Sequence, residues 1–206
     1  KDLDVSLAAE KAGILKGFKR LHVIGPSSWI AGESKRSATL GQFAHSVIPY
    51  PIDISVWRRM DQAMARDVFG LDRDGKLVLT VAERAGDLRK GGDIVQEAFA
   101  RPDISGRFAW AAVGAPSPSL NKARALGFLT DHRLLALAYS AADFFVLPSR
   151  EDNLPNVIME SLAVGTPAIA LPVGGVPGMI DDGVNGVLAH ADDAESLADA
   201  LTRADG

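Results

Sequence analysis

The 206-residue chain contains no cysteine, which excludes a disulfide framework, a thiolate metal site and a cysteine nucleophile. No apolar run approaches the ~18 residues that a membrane-spanning helix needs. An excess of positive charge is also missing. Lys and Arg number 22 against 26 Asp and Glu, for a net charge of −4, and no basic stripe stands out, which argues against a dedicated nucleic-acid binder. The four histidines, His22, His45, His132 and His190, show no metal-site spacing and read as structural. Neither standard nucleotide fingerprint, G-x-G-x-x-G or G-x-x-x-x-G-K-[ST], occurs.

What is present is ordinary globular material. Hydrophobic residues make up 47% and charged residues 23%, enough apolar mass for a real core in a cytoplasmic protein. The length suits one large domain, or one domain with a piece of another. The chain begins at Lys1 without a signal-peptide pattern, and its last helical pattern runs out near Leu201. It therefore reads as a piece of a longer protein, truncated at both ends.

Hydrophobic patterning predicts a helix over 6–18, a strand over 21–24, a helix from Ser27 or Ser28 toward Leu40, and a short strand over 46–49. Those first fifty residues are too few to close a core of their own. A proline-bearing connector over 49–57 follows, then a helix over 61–69 and a continuous apolar strand over 77–81. Alternation continues with a helix from Gly92, strands over 108–113 and 125–128, a helix over 132–141 and a strand over 144–147. A helix over 155–164, strands over 168–171 and 186–189 and a helix over 194–201 complete it. Strands alternating with helices across short loops predict an α/β fold, an open parallel sheet with helices on both faces. Ligands of such sheets lie beyond the carboxyl ends of the strands.

Three loops at those ends carry chemistry. After the 77–81 strand come Arg84, Arg89, Lys90, Gly91 and Gly92, followed by a helix. Cations, close-approach glycines and a helix N-terminus together suit a diphosphate held between Arg84 and Lys90. A solvated, charged surface loop explains the same residues. After the 144–147 strand, Asp152 and Asn153 precede Pro155, with Asn153 as a candidate cap and Pro155 in the first helical turn. Glu160 lies further in, among Val157, Ile158, Met159 and Leu162. Its side chain tilts back toward Asp152, so both acids could accept hydrogen bonds from one polyhydroxylated ligand. Gly174-Gly175 follow the 168–171 strand, where they serve either as backbone donors or as a plain tight turn.

The run from Tyr139 to Ser149 through Asp152-Asn153-Leu154-Pro155 to Glu160, then Gly165-Thr166-Pro167, Gly174-Gly175-Val176-Pro177 and Asp182-Gly183-Val184-Asn185-Gly186, resembles the donor-binding half of family 4 glycosyltransferases. The segments Pro26-Ser27-Ser28-Trp29, Ile48 to Asp53 and Leu126 to Leu129 agree with it, so the resemblance covers nearly the whole chain. It implies the C-terminal, Rossmann-like half of a GT-B fold over 50–206, shortened at its end, and a remnant of the N-terminal acceptor domain over 1–49.

The resemblance implies a metal-independent, retaining enzyme that transfers a sugar from a UDP- or GDP-linked donor to a hydroxyl, with no cofactor. By position, Arg84 and Lys90 would hold the diphosphate, Asp152 would face the donor sugar, and Glu160 would accept from the ribose hydroxyls. Backbone at Asn153 and Leu154 would approach the sugar or phosphate, Phe128 would pack near the base, and Gly174 and Gly175 would complete the donor site. The acceptor, a carbohydrate or lipid-linked hydroxyl, would sit in the absent half, as would any peripheral membrane association. This piece alone should bind nucleotide and transfer little. Two departures stand out: Gly178 occupies a position where the family commonly has Glu, and the family's N-terminal catalytic His has no counterpart. Other readings are a non-catalytic nucleotide-sugar binding module and an enzyme like the sugar-nucleotide 2-epimerases. Trp29, Trp57 and Trp110 read as packing residues.

Overall fold

Leu77 and Leu79 face one side of their strand and Val78 the other, and each is almost wholly buried. That two-sided burial follows from a parallel sheet covered by helices on both faces. The computed structural model describes residues 2–82, 88–115 and 121–206. Its chain divides into two compact units, Lys1–Pro51 and Ile52–Gly206.

The first unit holds α1 (Asp2–Lys16), β1 (His22–Gly25), α2 (Ser28–Arg36) and β2 (Ala44–Val47), the two strands pairing in parallel. Ser27 caps α2, its hydroxyl accepting from the Ile30 N–H at 3.1 Å. The helix ends at Arg36, well short of the expected Leu40. There the Ser37 hydroxyl binds the Thr39 and Leu40 amides and draws the chain into a turn instead. His45 donates from Nδ1 to the Phe43 carbonyl at 2.8 Å and meets the Ser34 hydroxyl through Nε2 at 2.9 Å, a structural role.

The second unit follows as α3 (Gln62–Phe69), β3 (Lys76–Ala82), α4 (Gly92–Ala98), α5 (Pro102–Ser105), β4 (Phe108–Gly114), β5 (Arg124–Gly127), α6 (His132–Ala141), β6 (Phe144–Leu147), α7 (Asn156–Val164), β7 (Ala168–Ala170), β8 (Gly186–Leu188) and α8 (Ala194–Ala204). All six strands are parallel, in the order β5-β4-β3-β6-β7-β8. The order runs outward from β3 in one direction and resumes from β6 in the other. That reversal opens a crevice between their carboxyl ends, the expected ligand position in a doubly wound sheet.

Side-chain alternation divides the core in two. Leu77, Leu79, Phe145 and Leu147 pack with Trp57, Tyr139 and Ile158 on the face covered by α3, α6 and α7. Val78, Phe144, Val146 and Ile169 pack with Ile94, Trp110, Leu197 and Leu201 beneath α4, α5 and α8. Each fully buried Leu or Phe contributes about 1.5–3 kcal/mol. Asp61, Asp131 and Asp193 cap α3, α6 and α8 through their carboxylates.

A buried guanidinium ties one end of this layer together. Arg66 is 3% exposed and donates to the Ala141 carbonyl at 2.9 Å, the Arg73 carbonyl at 2.7 Å and Asp143 Oδ2 at 2.7 Å. The same carboxylate oxygen accepts from the Leu77 amide at 2.7 Å. One ion pair thereby joins α3, the turn before β6 and the start of β3. Nothing in the local pattern of α3 announces it.

Candidate functional site

β3 pairs with β4 along its whole length, from Lys76–Phe108 to Ala82–Gly114. With β6 it is in register only at Val78–Phe144 and Leu79–Phe145. Beyond that point lies a cavity of ≈ 350 Å³, lined by the ends of β3 (Thr80, Val81, Ala82), β4 (Val113, Gly114) and β6 (Leu147, Pro148, Ser149). Lys90, Gly92 and Val95, Trp110, Phe128 and Leu129, Leu135, and Val157 with Glu160 complete its wall. The lining is mostly apolar, with one cation and one carboxylate among the described residues, as a binding site for a partly hydrophobic anion would have.

Tight backbone approach builds this wall. Gly91 has φ +64°, and a Cβ there would lie 1.8 Å from the Pro148 carbonyl oxygen. Only glycine lets the turn before α4 close onto the end of β6. The Arg150 amide donates to the Arg89 carbonyl at 2.8 Å, and its guanidinium donates to the Leu88 carbonyl at 2.8 Å. The Arg150 guanidinium also makes a bidentate pair with Asp93 at 2.7 and 2.8 Å. The two loops are thus stitched together, bringing Lys90 to the cavity. α4 has only seven residues, too short for its macrodipole to matter much.

Glu160 enters from the first turns of α7. Tyr139, fully buried on α6, donates its hydroxyl to Glu160 Oε2 at 3.1 Å. Burial raises the Glu160 pKa above the ordinary carboxylate value, while the Tyr139 hydrogen bond and the charge on His132 pull it back. Burial, reinforced by that carboxylate, lifts the Tyr139 pKa well above its usual value, so the phenol remains a donor. Trp57 and Phe145 pack edge-on against the Tyr139 ring, with centroids at 6.1 and 5.4 Å, and fix its position.

The cavity brings together Lys90, Glu160 and Phe128 of the residues expected from sequence. Phe128 is 57% exposed and sits at the rim. Asp152 does not line the cavity; it reaches it through Lys90, whose Nζ lies 3.2 Å from Asp152 Oδ2. Asn153, Leu154, Gly174 and Gly175 also stand outside the lining. Gly174, at φ +53°, would place a Cβ 1.8 Å from the Asp152 carbonyl oxygen, and the Gly175 amide donates to that oxygen at 3.3 Å. The close approach accounts for glycine at position 174, and the two contacts hold the Asp152 loop in place. Arg84 lies outside the described residues.

The expected cap at Asn153 is corrected by the structure. α7 starts at Asn156, with Pro155 in the N-cap position and no side-chain cap. The preceding backbone is engaged instead with the Gly174-Gly175 turn. Tyr139 and Ser149 were not singled out from sequence. Tyr139 is 21 residues from Glu160, a spacing with no local signature, and Ser149 is a small polar residue that the local pattern does not mark. Among the described residues, no group of three or more His, Cys, Asp or Glu is placed to hold one metal ion.

The family model for the group 1 glycosyl transferases matches residues 76–204. The chain belongs to that family. A D-inositol 3-phosphate glycosyltransferase of Actinosynnema mirum is 33% identical over 178 residues, covering 76% of this chain and 42% of the relative. The chain thus spans about two-fifths of the length of the curated relatives it matches. Among solved structures, a sucrose-phosphate synthase from Thermosynechococcus elongatus superposes with a TM-score of 0.79 at 26% identity, over 95% of this chain and 51% of that one. The C-terminal domain of a group 1 glycosyl transferase from Francisella tularensis gives a TM-score of 0.60 at 17% identity, over 74% of this chain and 87% of that domain. The α/β architecture is that of the GT-B glycosyltransferases, and no helix among the described residues is long and apolar enough to cross a membrane.

Proposed function

We propose that this chain is the donor-binding part of a retaining glycosyltransferase that moves a sugar from a UDP- or GDP-linked donor to a hydroxyl acceptor. The observation that carries the reading is the crevice at the β3–β6 reversal, where Lys90 and Glu160 stand in a mostly apolar wall. Lys90, with Arg84, neutralises the diphosphate. Glu160 accepts hydrogen bonds from the ribose hydroxyls through the oxygen that Tyr139 leaves available. Phe128 lies against the base at the rim, and the Asp152–Leu154 loop, braced by Gly174 and Gly175, faces the sugar.

In the transfer step the bond between the anomeric carbon and the diphosphate oxygen breaks, with its electron pair leaving on the diphosphate. Cations fixed at that oxygen stabilise the developing charge in a low-dielectric crevice, without a metal ion. The acceptor hydroxyl, held by the remainder of the intact enzyme, bonds to the same carbon and passes its proton to the departing diphosphate oxygen. Transfer needs that remainder to close over the donor, so the isolated chain binds and turns over little.

Calorimetric titration with UDP, GDP and ADP tests the reading on the wild type and on Lys90→Ala, Arg84→Ala and Glu160→Ala. Selective binding of one diphosphate, weakened by each substitution, supports it. Absence of binding by a folded chain, or indifference to all three substitutions, contradicts it.

A further inference from the structure

Ser149 follows Pro148 at the carboxyl end of β6. It is 1% exposed, and its hydroxyl is the one buried side-chain polar atom among the described residues without a hydrogen-bond partner. The residue nevertheless lines the crevice. Its neighbours fix its place: the Pro148 carbonyl abuts Gly91, and the Arg150 amide binds the Arg89 carbonyl at 2.8 Å. Ser149 is therefore clamped between two contacts to the turn that presents Lys90 and Gly92.

A buried hydroxyl without a partner is a standing cost to the fold, and native proteins rarely keep one without a reason. A serine χ1 has three staggered wells, so the hydroxyl can turn toward the cavity when an acceptor arrives. The group that fits beside Lys90 is rich in acceptors and anionic. A hydroxyl donating to an anionic oxygen makes a charge-assisted bond of the stronger kind. Ribose hydroxyls are placed less well here, since they are claimed by Glu160 on the α7 side of the cavity.

Resting on the donor-binding reading above, we infer that the Ser149 hydroxyl is a diphosphate-binding donor, kept unpaired in the free protein and satisfied by a phosphate oxygen of a nucleoside diphosphate held at Lys90. This gives one substitution two effects of opposite sign. Ser149→Ala removes the orphan and should not weaken the free protein, whereas the ligand loses a donor.

The test uses the whole chain, wild type and Ser149→Ala. Thermal unfolding without ligand is measured first, then calorimetric titration with UDP, GDP and ADP, then competition by the matching nucleoside. The expected result is a melting temperature equal to the wild type's or higher by about 2–4 °C. Affinity for the bound diphosphate should fall about 10-fold or more, while nucleoside affinity stays unchanged. A lowered melting temperature would mean that the hydroxyl has a structural partner, and would overturn the inference. Equal loss for nucleoside and diphosphate, or no loss for either, would overturn it as well while leaving the donor site standing. A wild type that binds none of the three diphosphates would overturn the donor reading and this inference with it.

Discussion

Removing one oxygen atom at Tyr139 probes the acid that the whole site depends on. In Tyr139→Phe the ring keeps its packing against Trp57 and Phe145, and Glu160 loses its buried donor at 3.1 Å. A hydrogen bond to a charged group is worth about 1.5–3 kcal/mol. Glu160 retains partial access to water, so the lower figure of about 1.5 kcal/mol applies at pH 7.5, or about 3–6 °C in melting temperature for a chain of this size. The loss depends on pH. Burial already raises the Glu160 pKa in the folded state, so its neutral form is tolerated better there than its charged form. This contribution to stability is complete below the ordinary carboxylate pKa and disappears as pH rises through the folded value. Losing the Tyr139 donor moves that value further up, so the variant's deficit is small near pH 4.5 and full near pH 7.5.

Ligand binding follows the same acid. Ribose hydroxyls need the ionised carboxylate, so UDP or GDP affinity in Tyr139→Phe should begin to decline at a higher pH than in the wild type. The matching 2′,3′-dideoxynucleotide should show no such difference. His132, the other charge acting on Glu160, is common to both proteins and cancels. Urea unfolding and calorimetry at pH 4.5, 6 and 7.5 give both readouts. An equal stability loss at all three values, with unchanged nucleotide profiles, would refute the reasoning.

Three further outcomes follow from the geometry. Asp143→Ala leaves the buried Arg66 guanidinium and the Leu77 amide without their shared acceptor, and should destabilise by about 3–5 kcal/mol in chemical denaturation; a loss below 1 kcal/mol would contradict it. Gly91→Ala forces a Cβ into the Pro148 carbonyl at a left-handed backbone position, so it should lower the melting temperature and reduce diphosphate affinity together. Asp152→Asn frees Lys90 from its ion pair. That pair is worth up to about 1 kcal/mol, so bare UDP or GDP should bind up to about 5-fold more tightly; weaker binding would show that Asp152 helps to hold the diphosphate.

Much of the architecture could be read from periodicity. The short apolar runs at Leu77–Val81 and Phe144–Leu147 suit strands buried on both faces, and Ser27, Asp61, Asp131 and Asp193 mark the starts of α2, α3, α6 and α8. The order of the strands could not, because every parallel crossover looks alike in one dimension. Lys90 and Glu160 were legible as candidates, since a cation before two glycines and an acid in an apolar helix are both unusual. Their true partners were not. Asp152 pairs with Lys90 across 62 residues of sequence, and the Gly174-Gly175 turn packs on the Asp152 carbonyl. Tyr139, Ser149 and Arg66 meet their partners, or their lack of one, only through tertiary contacts between distant elements. Side chains of that kind have no sequence period to betray them.

The central claim is that a nucleoside diphosphate occupies the crevice where β3 and β6 part. Amide chemical-shift mapping by NMR during titration with UDP and GDP tests it most directly. One of them should perturb Thr80–Ala82, Gly92, Gly114, Phe128 and Ser149 together, and Lys90→Ala should suppress the effect. Perturbations confined to other surfaces, or none at millimolar nucleotide, would contradict it.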